Sequence, residues 1–431
     1  MILRALFAVL ALSLPAQAEM QIQSVTSPGG ITAWLVEDHN IPFTALEIQF
    51  KGGTSLDTPD KRGAVNLMTA LIEEGAADMD SRAFAEARDS LAANFSFDAG
   101  TDSIGVSASF LTENRDSAIA LLQQALNAPR FDQDAVDRVR EQVLSMLRSD
   151  EKDPDTIGSQ TFDALAFGDH PYGSSGDGTL ATVAALTRDD ILAAHKGARA
   201  RDRIFVAAAG DITAAELGPL LDQLLGDLPA TGAPLPPRAD WRLPPGVTVK
   251  DFPTPQSSVL FGHVGIPRDD PDFFAAFILN EALGGGRFTA RLMSEVREKR
   301  GLTYGIGSYL VNMDQADMYL GQFSASNDKV AEAIQVLRDE WAKIGAEGIT
   351  EEELATTKTY LTGSYPLRFD GNGPIASILV GMQMQGLPID YAVTRNDKIN
   401  AVTMEDVQRV ARRLYLPEAL HFVVVGQPTG L

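Results

Sequence analysis

The feature that most constrains this fold is an internal repeat. Leu186-Thr187-Arg188-Asp189-Asp190-Ile191 returns as Val402-Thr403-Met404-Glu405-Asp406-Val407, 216 residues later. At the same offset Phe205-Val206-Ala207-Ala208-Ala209-Gly210 returns as His421-Phe422-Val423-Val424-Val425-Gly426. A helix expected to begin near Asp134 has its counterpart near Glu352, at an offset of 218. Two helix-strand blocks that hold register across 25 residues without a gap point to two halves built alike. A period this long marks a duplication and not a solenoid. Pro229, Pro234, Pro236, Pro237, Pro244 and Pro245 crowd the 21 residues from Gly226 to Gly246. Proline fixes φ and removes donors, so that stretch reads as an extended, semi-rigid linker between the halves.

Local patterning fills in each half. Gln21 to Val36 and Phe43 to Phe50 read as strands, the second alternating Leu46, Ile48 and Phe50. Ala64, Val65, Leu67, Met68, Leu71 and Ile72 recur at helical spacing in a helix from about Arg62 to Glu74, stopped by Gly75. A second helix covers about Ser81 to Leu91, and a hairpin turns through Gly100-Thr101-Asp102. Helices follow at about Ser117 to Leu126, Asp134 to Arg148 and Arg188 to Gly197, then a strand from Arg203 to Ala209. Hairpins interleaved with helices predict an α+β fold, with mostly antiparallel sheets and helices packed on one face. The expected organisation is a leader (residues 1–18), a first half (19–225), the linker (226–246) and a second half (247–431).

The leader has the form of a cleavable export signal. Arg4 supplies the positive region, Ala5 to Leu14 the apolar run, and Ala16-Gln17-Ala18 the cleavage pattern. That run is too short to span a bilayer. The chain has no cysteine, which removes disulfides, thiol nucleophiles and cysteine-ligated zinc. Export without cysteine fits the bacterial periplasm. With 58 acidic against 36 basic residues and a net charge of -22, the chain is a poor match for nucleic acid or for anionic lipid surfaces.

Catalytic motifs are sparse. The five histidines, His39, His170, His195, His263 and His421, include no pair at helical i, i+4 spacing, so each reads as a surface or local hydrogen-bonding residue. There is no G-x-S-x-G elbow and no phosphate loop. Gly284-Gly285-Gly286 reads as a helix-to-helix turn that uses glycine's freedom. The stretch after it is more informative. Arg291, Glu295, Arg297, Glu298, Lys299 and Arg300 crowd one helix, Gly301 caps it, and Thr303 to Tyr309 alternates like a strand. Arg297 and Tyr304 can approach one another across that turn. A forked guanidinium and a single phenolic donor suit a peptide carbonyl or carboxylate.

The run LGGGRFTARLMSEVREKRGLTYGIGSY closely resembles the C-terminal signature of the pitrilysin/insulinase-like zinc metallopeptidases, the family that includes mitochondrial processing peptidase. The resemblance extends over nearly all of the chain after the leader. It takes in His170-Pro171-Tyr172-Gly173, the duplicated halves and the closing strand His421 to Gly426. It implies that Arg297 and Tyr304 bind substrate near a metal. In that family the metal site is a helical His-x-x-Glu-His in the first half, completed by a glutamate about 76 residues on. Here Asn66 and Ala70 stand at the histidine positions, Thr69 at the base and Met146 at the downstream glutamate. Alanine offers zinc no donor and a thioether is not among its usual ligands; threonine is no carboxylate base.

The resemblance also implies a role for such a chain. Some members work as two-chain enzymes, one chain carrying the zinc motif and the other the Arg/Tyr pair. The expectation is a non-catalytic, substrate-binding subunit of a heterodimeric periplasmic zinc peptidase. It would bind no cofactor itself, the zinc being held by a homologous His-x-x-Glu-His partner, and a homodimer is open to it without that partner. The alternative is a non-enzymatic peptide-binding or structural assembly subunit of the same fold.

Overall fold

The computed structural model describes residues 21–431. The expected leader and its cleavage site lie outside them. Eight strands form in the first half: β1 (Gln23–Thr26), β2 (Thr32–Glu37), β3 (Phe43–Lys51), β4 (Gly75–Ala76), β5 (Met79–Asp80), β6 (Asn94–Ala99), β7 (Ser103–Leu111) and β8 (Ile204–Gly210). Five follow in the second: β9 (Gly246–Asp251), β10 (Gln256–Val264), β11 (Ile306–Asn312), β12 (Asp317–Ser326) and β13 (His421–Gly426).

The two main sheets repeat one topology. The first runs β1-β2-β8-β3-β7-β6, and the second, from its opposite edge, β9-β13-β10-β12-β11. Without β1 the orders correspond strand for strand. The β2–β8 and β9–β13 pairs are both parallel, and every other pair in these sheets is antiparallel. The predicted duplication and the mostly antiparallel α+β architecture are both present.

Burial explains why the repeated strand blocks read as unbroken apolar runs. In β8, Val206 and Ala208 face the first half's own core, while Ala207 and Ala209 face the other way into a second cluster. In β13, Phe422 and Val424 face the second half's core, and Val423 and Val425 face outward from it. A strand buried on both faces has no solvent side on which to place polar residues.

What covers the outer faces is an exchange between halves. Helix Asn372–Met384 belongs to the second half by sequence, yet it lies on the first half's sheet. There Ala376, Leu379 and Val380 pack with Val36, Ala45, Ala207 and Ala209. Three polar contacts anchor it. Asn372 donates to the Phe43 carbonyl at 3.2 Å, Ser377 to Glu47 at 3.2 Å and Gln383 to the Val206 carbonyl at 2.8 Å. Reciprocally, helix Pro154–Phe167 of the first half covers the second sheet, with Phe162, Ala166 and Phe167 packed with Met318, Val423 and Val425. The two helices begin at Pro154 and Asn372, the same 218-residue offset as the helices before them at Gln133 and Glu351. Each sheet therefore carries its own helices on one face, as expected, and one helix from the other half on the opposite face.

Other local differences from the sequence reading have simple causes. The expected strand Gln21 to Val36 is two strands, because Pro28-Gly29-Gly30 turns the chain, with Gly30 at φ 85°. The helix expected over Arg62 to Glu74 is only Ala64–Ala70. It opens at Gly63 (φ 94°), where the buried Asp57 carboxylate accepts the N–H groups of Gly63 at 3.0 Å and Val65 at 3.1 Å. The proline-rich stretch has no regular structure from 227 to 245, but it is no free spacer. Its Ala233 and Arg242 N–H groups bond the carbonyls of Gly197 and Ala166 in the first half, and Ala239 N–H bonds Gln315 in the second. Trp241 meets Phe162 and Phe167 edge-on at 5.9 and 5.8 Å. His170-Pro171-Tyr172-Gly173 also ties the halves together. The Tyr172 hydroxyl donates to Asp102 in the β6–β7 turn and accepts Gln315 N–H, 2.9 Å away, from the β11–β12 turn.

Candidate functional site

The degenerate zinc positions lie on two helices packed against one another, Ala64–Ala70 and Gln133–Asp150. Asn66 is partly buried, Ala70 exposed and Met146 43% exposed. Thr69 is buried, and its hydroxyl is committed to the Val65 carbonyl at 2.8 Å. These residues do not fit a zinc ion: one has no donor, one donates inward to its own helix, and a thioether is a poor partner for zinc. Among the described residues no group of three or more His, Asp or Glu is placed to hold a metal.

Every histidine has a local partner instead. His39 meets Asp211 at 2.7 Å, and His170 accepts Tyr172 N–H while its other ring nitrogen meets the Pro237 carbonyl. His195 meets the Leu126 carbonyl, His263 that of Val264, and His421 that of Pro244. Burial holds His195 down at about 3, aided by the Arg199 guanidinium, so it stays neutral at physiological pH.

The Arg/Tyr segment is built differently from its sequence reading. The charged helix becomes a π-helix over Met293–Glu298, with Lys299 N–H bonding the Ser294 carbonyl five residues back at 3.0 Å. Such widened turns concentrate at functional sites. Gly301 at φ 60° ends the segment, and Leu302 N–H returns to the Val296 carbonyl at 3.0 Å. The strand begins at Ile306 and not at Thr303. Thr303 is buried, and its hydroxyl bonds the Ser324 carbonyl of β12 at 2.6 Å and accepts Gly305 N–H at 3.2 Å. That pins the turn and leaves Tyr304 outside it, 83% exposed.

Tyr304 stands in a groove of about 430 Å³ that also takes in Asp155, Gln256, Ser258, Tyr309, Gln322 and Ser324. Arg297 does not line that groove. Its guanidinium lies 4.8 Å from the ring centroid of Phe288, itself 59% exposed. The two residues named together by the sequence are therefore near each other in the chain but not bonded to one another; among the described residues Arg297 has no carboxylate partner. Beside them β11 is the outermost strand of its sheet, with no strand among the described residues paired to its outer edge, the kind of edge to which an extended peptide can add.

Sequence reasoning missed a second cavity that continues the groove. It encloses about 480 Å³ between the crossing helix Pro154–Phe167, the loop Ser174–Asp177 and the outer face of the second sheet. Asp155, Tyr309 and Gln322 belong to both spaces. Asp163 lines it from the crossing helix, with no hydrogen-bond partner among the described residues, and enclosure pushes its carboxyl up to about 7. No local motif marks this wall, because its parts come from both halves.

Comparison with known proteins places these features in a family. Residues 33–179 match the model described as insulinase (peptidase family M16), and residues 185–361 the model described as peptidase M16 inactive domain. A Helicobacter pylori protein named non-peptidase homolog YmxG is 25% identical over 375 residues, 86% of each chain. A probable mitochondrial-processing peptidase subunit beta from Schizosaccharomyces pombe is 21% identical, over 95% of this chain and 92% of that one. Among solved structures, a peptidase M16 inactive domain from Pseudomonas fluorescens superimposes with a TM-score of 0.89 at 28% identity, covering 95% of this chain and 99% of that one.

Proposed function

The chain belongs to peptidase family M16, and from that premise we propose that it is the zinc-free, substrate-binding subunit of a two-chain metallopeptidase. The observation that carries this reading is a division within one chain. The metal positions hold Asn66, Thr69, Ala70 and Met146, while Tyr304 stands exposed in an open groove beside a free strand edge. A solvent-exposed tyrosine has little to do for its own fold. Positioned over a partner's metal site, its hydroxyl donates a hydrogen bond to the scissile carbonyl as that oxygen gains negative charge. Arg297 then holds a carbonyl or carboxylate of the same peptide, the ring of Phe288 supporting its guanidinium. The peptide lies extended, adding to a sheet edge in the space the two chains enclose. The zinc sits in a homologous His-x-x-Glu-His partner, and the complex works in the periplasm after export.

Reconstitution tests the proposal. The purified chain alone is expected to cleave no peptide and to bind no stoichiometric zinc by elemental analysis. Mixed with an M16 chain carrying His-x-x-Glu-His from the same genome, it should raise peptidase activity. The double variant Arg297→Ala/Tyr304→Phe should lower kcat of the complex by about 10²-fold or more, as losing an oxyanion donor does elsewhere. Equal activity of wild type and double variant would sink the assignment. Pull-down from periplasm that returns only membrane-complex subunits would favour an assembly role instead.

A further inference from the structure

A third cavity, of about 530 Å³, shares no lining residue with the groove or the degenerate zinc helices. The end of β11 (Leu310 to Asn312), the helices Phe273–Gly284 and Tyr391–Ala401, and one side of the crossing helix Asn372–Met384 enclose it. Three arginines line it, Arg268, Arg368 and Arg395, and no aspartate or glutamate does. In a chain with 58 acidic residues against 36 basic ones, three cations gathered without one acid is the reverse of what composition favours.

None of the three is in an ion pair among the described residues. Arg395 is only 7% exposed, and its guanidinium bonds neutral acceptors, the Leu361 carbonyl and the Asn396 carboxamide, both at 3.1 Å. Arg268 donates to the Tyr391 hydroxyl. Arg368 is exposed at the mouth. Glu281, whose carboxyl feels the Arg368 charge, is held by Arg287 at 3.1 Å; the aspartates of the adjoining pocket that Arg268 also borders include Asp270 and Asp272, which are held by Arg413 and Arg409. Burying a guanidinium with no counter-ion is costly, and an anion seated beside it offsets that cost. The rest of the wall is aromatic. Arg395 lies 4.2 Å from the Tyr365 ring centroid, and Arg268 lies 4.1 Å from that of Phe273 and 5.4 Å from that of Tyr391. Ring faces hold the guanidinium planes in place, which fixes their N–H forks for an incoming oxyanion. The volume is that of a small-molecule site.

We propose that this pocket binds an organic oxyanion, a carboxylate or phosphate group carried on an aromatic or aliphatic body. The anionic group takes the place of the missing counter-ion among Arg268, Arg368 and Arg395, and the body lies against Tyr365, Tyr391 and Phe277. Two sources supply that chemistry: a free small molecule, or the terminal carboxylate of a peptide chain. The site stands independently of the subunit reading, because it lies on the intact single chain and needs no zinc partner.

Isothermal titration of the full chain with four probes tests it: phenylpropionate, phenyl phosphate, a seven-residue peptide ending in a free phenylalanine carboxylate, and its C-terminal amide. At least one acid probe is expected to bind saturably and to raise Tm. The amide should bind about tenfold or more weakly than the free peptide acid if the source is a peptide, whereas the two small acids bind if it is a small molecule. Arg368→Glu, at an exposed position, should weaken the acid probe about tenfold or more without changing circular dichroism. The proposal is overturned if no acid probe binds at millimolar concentration, or if the acid probes bind Arg368→Glu as tightly as wild type. The comparison of acid with amide on the wild-type chain reads out even if the variant proves unstable.

Discussion

Single residues separate what a motif can announce from what only the fold reveals. Tyr304 was legible because it sits in a contiguous signature, and the loss of zinc ligands was legible because four positions could be aligned to a known pattern. Arg297 was named with it, but its seat over Phe288 depends on a widened π turn that helical spacing does not predict. Asp163 had no sequence signal at all, since its neighbours Tyr309, Gln322 and Met318 lie more than a hundred residues away. Its chemistry gives a prediction. The folded chain pushes this carboxyl up to about 7 from an ordinary 3.8, by burial alone. Over that interval the folded state keeps a proton that the unfolded chain has already released. Stability should therefore fall as pH rises from about 4 to about 7, with the whole cost present above 7. Asp163→Asn removes the ionisation. The variant should be more stable than wild type by on the order of 1–2 kcal/mol at pH 8, a figure reduced from the full shift because the carboxyl opens onto a cavity. The gain should shrink at pH 5, as read from urea midpoints. A gain that does not change with pH would assign it to packing.

At the scale of elements, the repeat in the sequence came through because a doubly buried strand leaves an unusual trace. β8 is apolar throughout and β13 from Phe422 onward, so their likeness stands out in the sequence. Hairpin β6–β7 was equally plain from alternation. The exchange of helices was invisible, because nothing in Pro154–Phe167 or Asn372–Met384 says which sheet it will cover. Chain order puts each helix within its own half, and tertiary packing lays it on the other half's sheet. This exchange predicts that the two halves share their stability. Leu379 is fully buried between the crossing helix and the first sheet. Leu379→Ala should cost about 2–5 kcal/mol. Although it alters a residue of the second half, calorimetry should show one transition moved as a unit. Two separated transitions, with only one of them shifted, would show that the crossing helix does not couple the halves.

For the whole molecule, the proline-rich segment ceases to be the connection that matters. Cutting a true linker leaves two domains; cutting this one leaves two sheets that each still depend on a helix from the other chain. The isolated second half would expose Met318, Val423 and Val425, which the structure buries under Phe162, Ala166 and Phe167. The isolated first half would likewise bare Val36, Ala45, Ala207 and Ala209. Faces of this kind are aggregation surfaces when uncovered. Residues 19–225 and 226–431 produced separately should therefore be poorly folded, with weak amide dispersion in NMR spectra and a tendency to precipitate. Produced together they should recover a 1:1 complex with the intact chain's circular dichroism, since the crossing helices do not need the covalent strap to find their sheets. The complex should melt below the intact chain, because association now costs the entropy of joining two molecules. Well-dispersed spectra from either half alone would mean that the exchanged helices are ornaments on self-sufficient domains. The Tyr304 groove would then need no contribution from the first half, although the present arrangement draws Asp155 into its wall from the crossing helix.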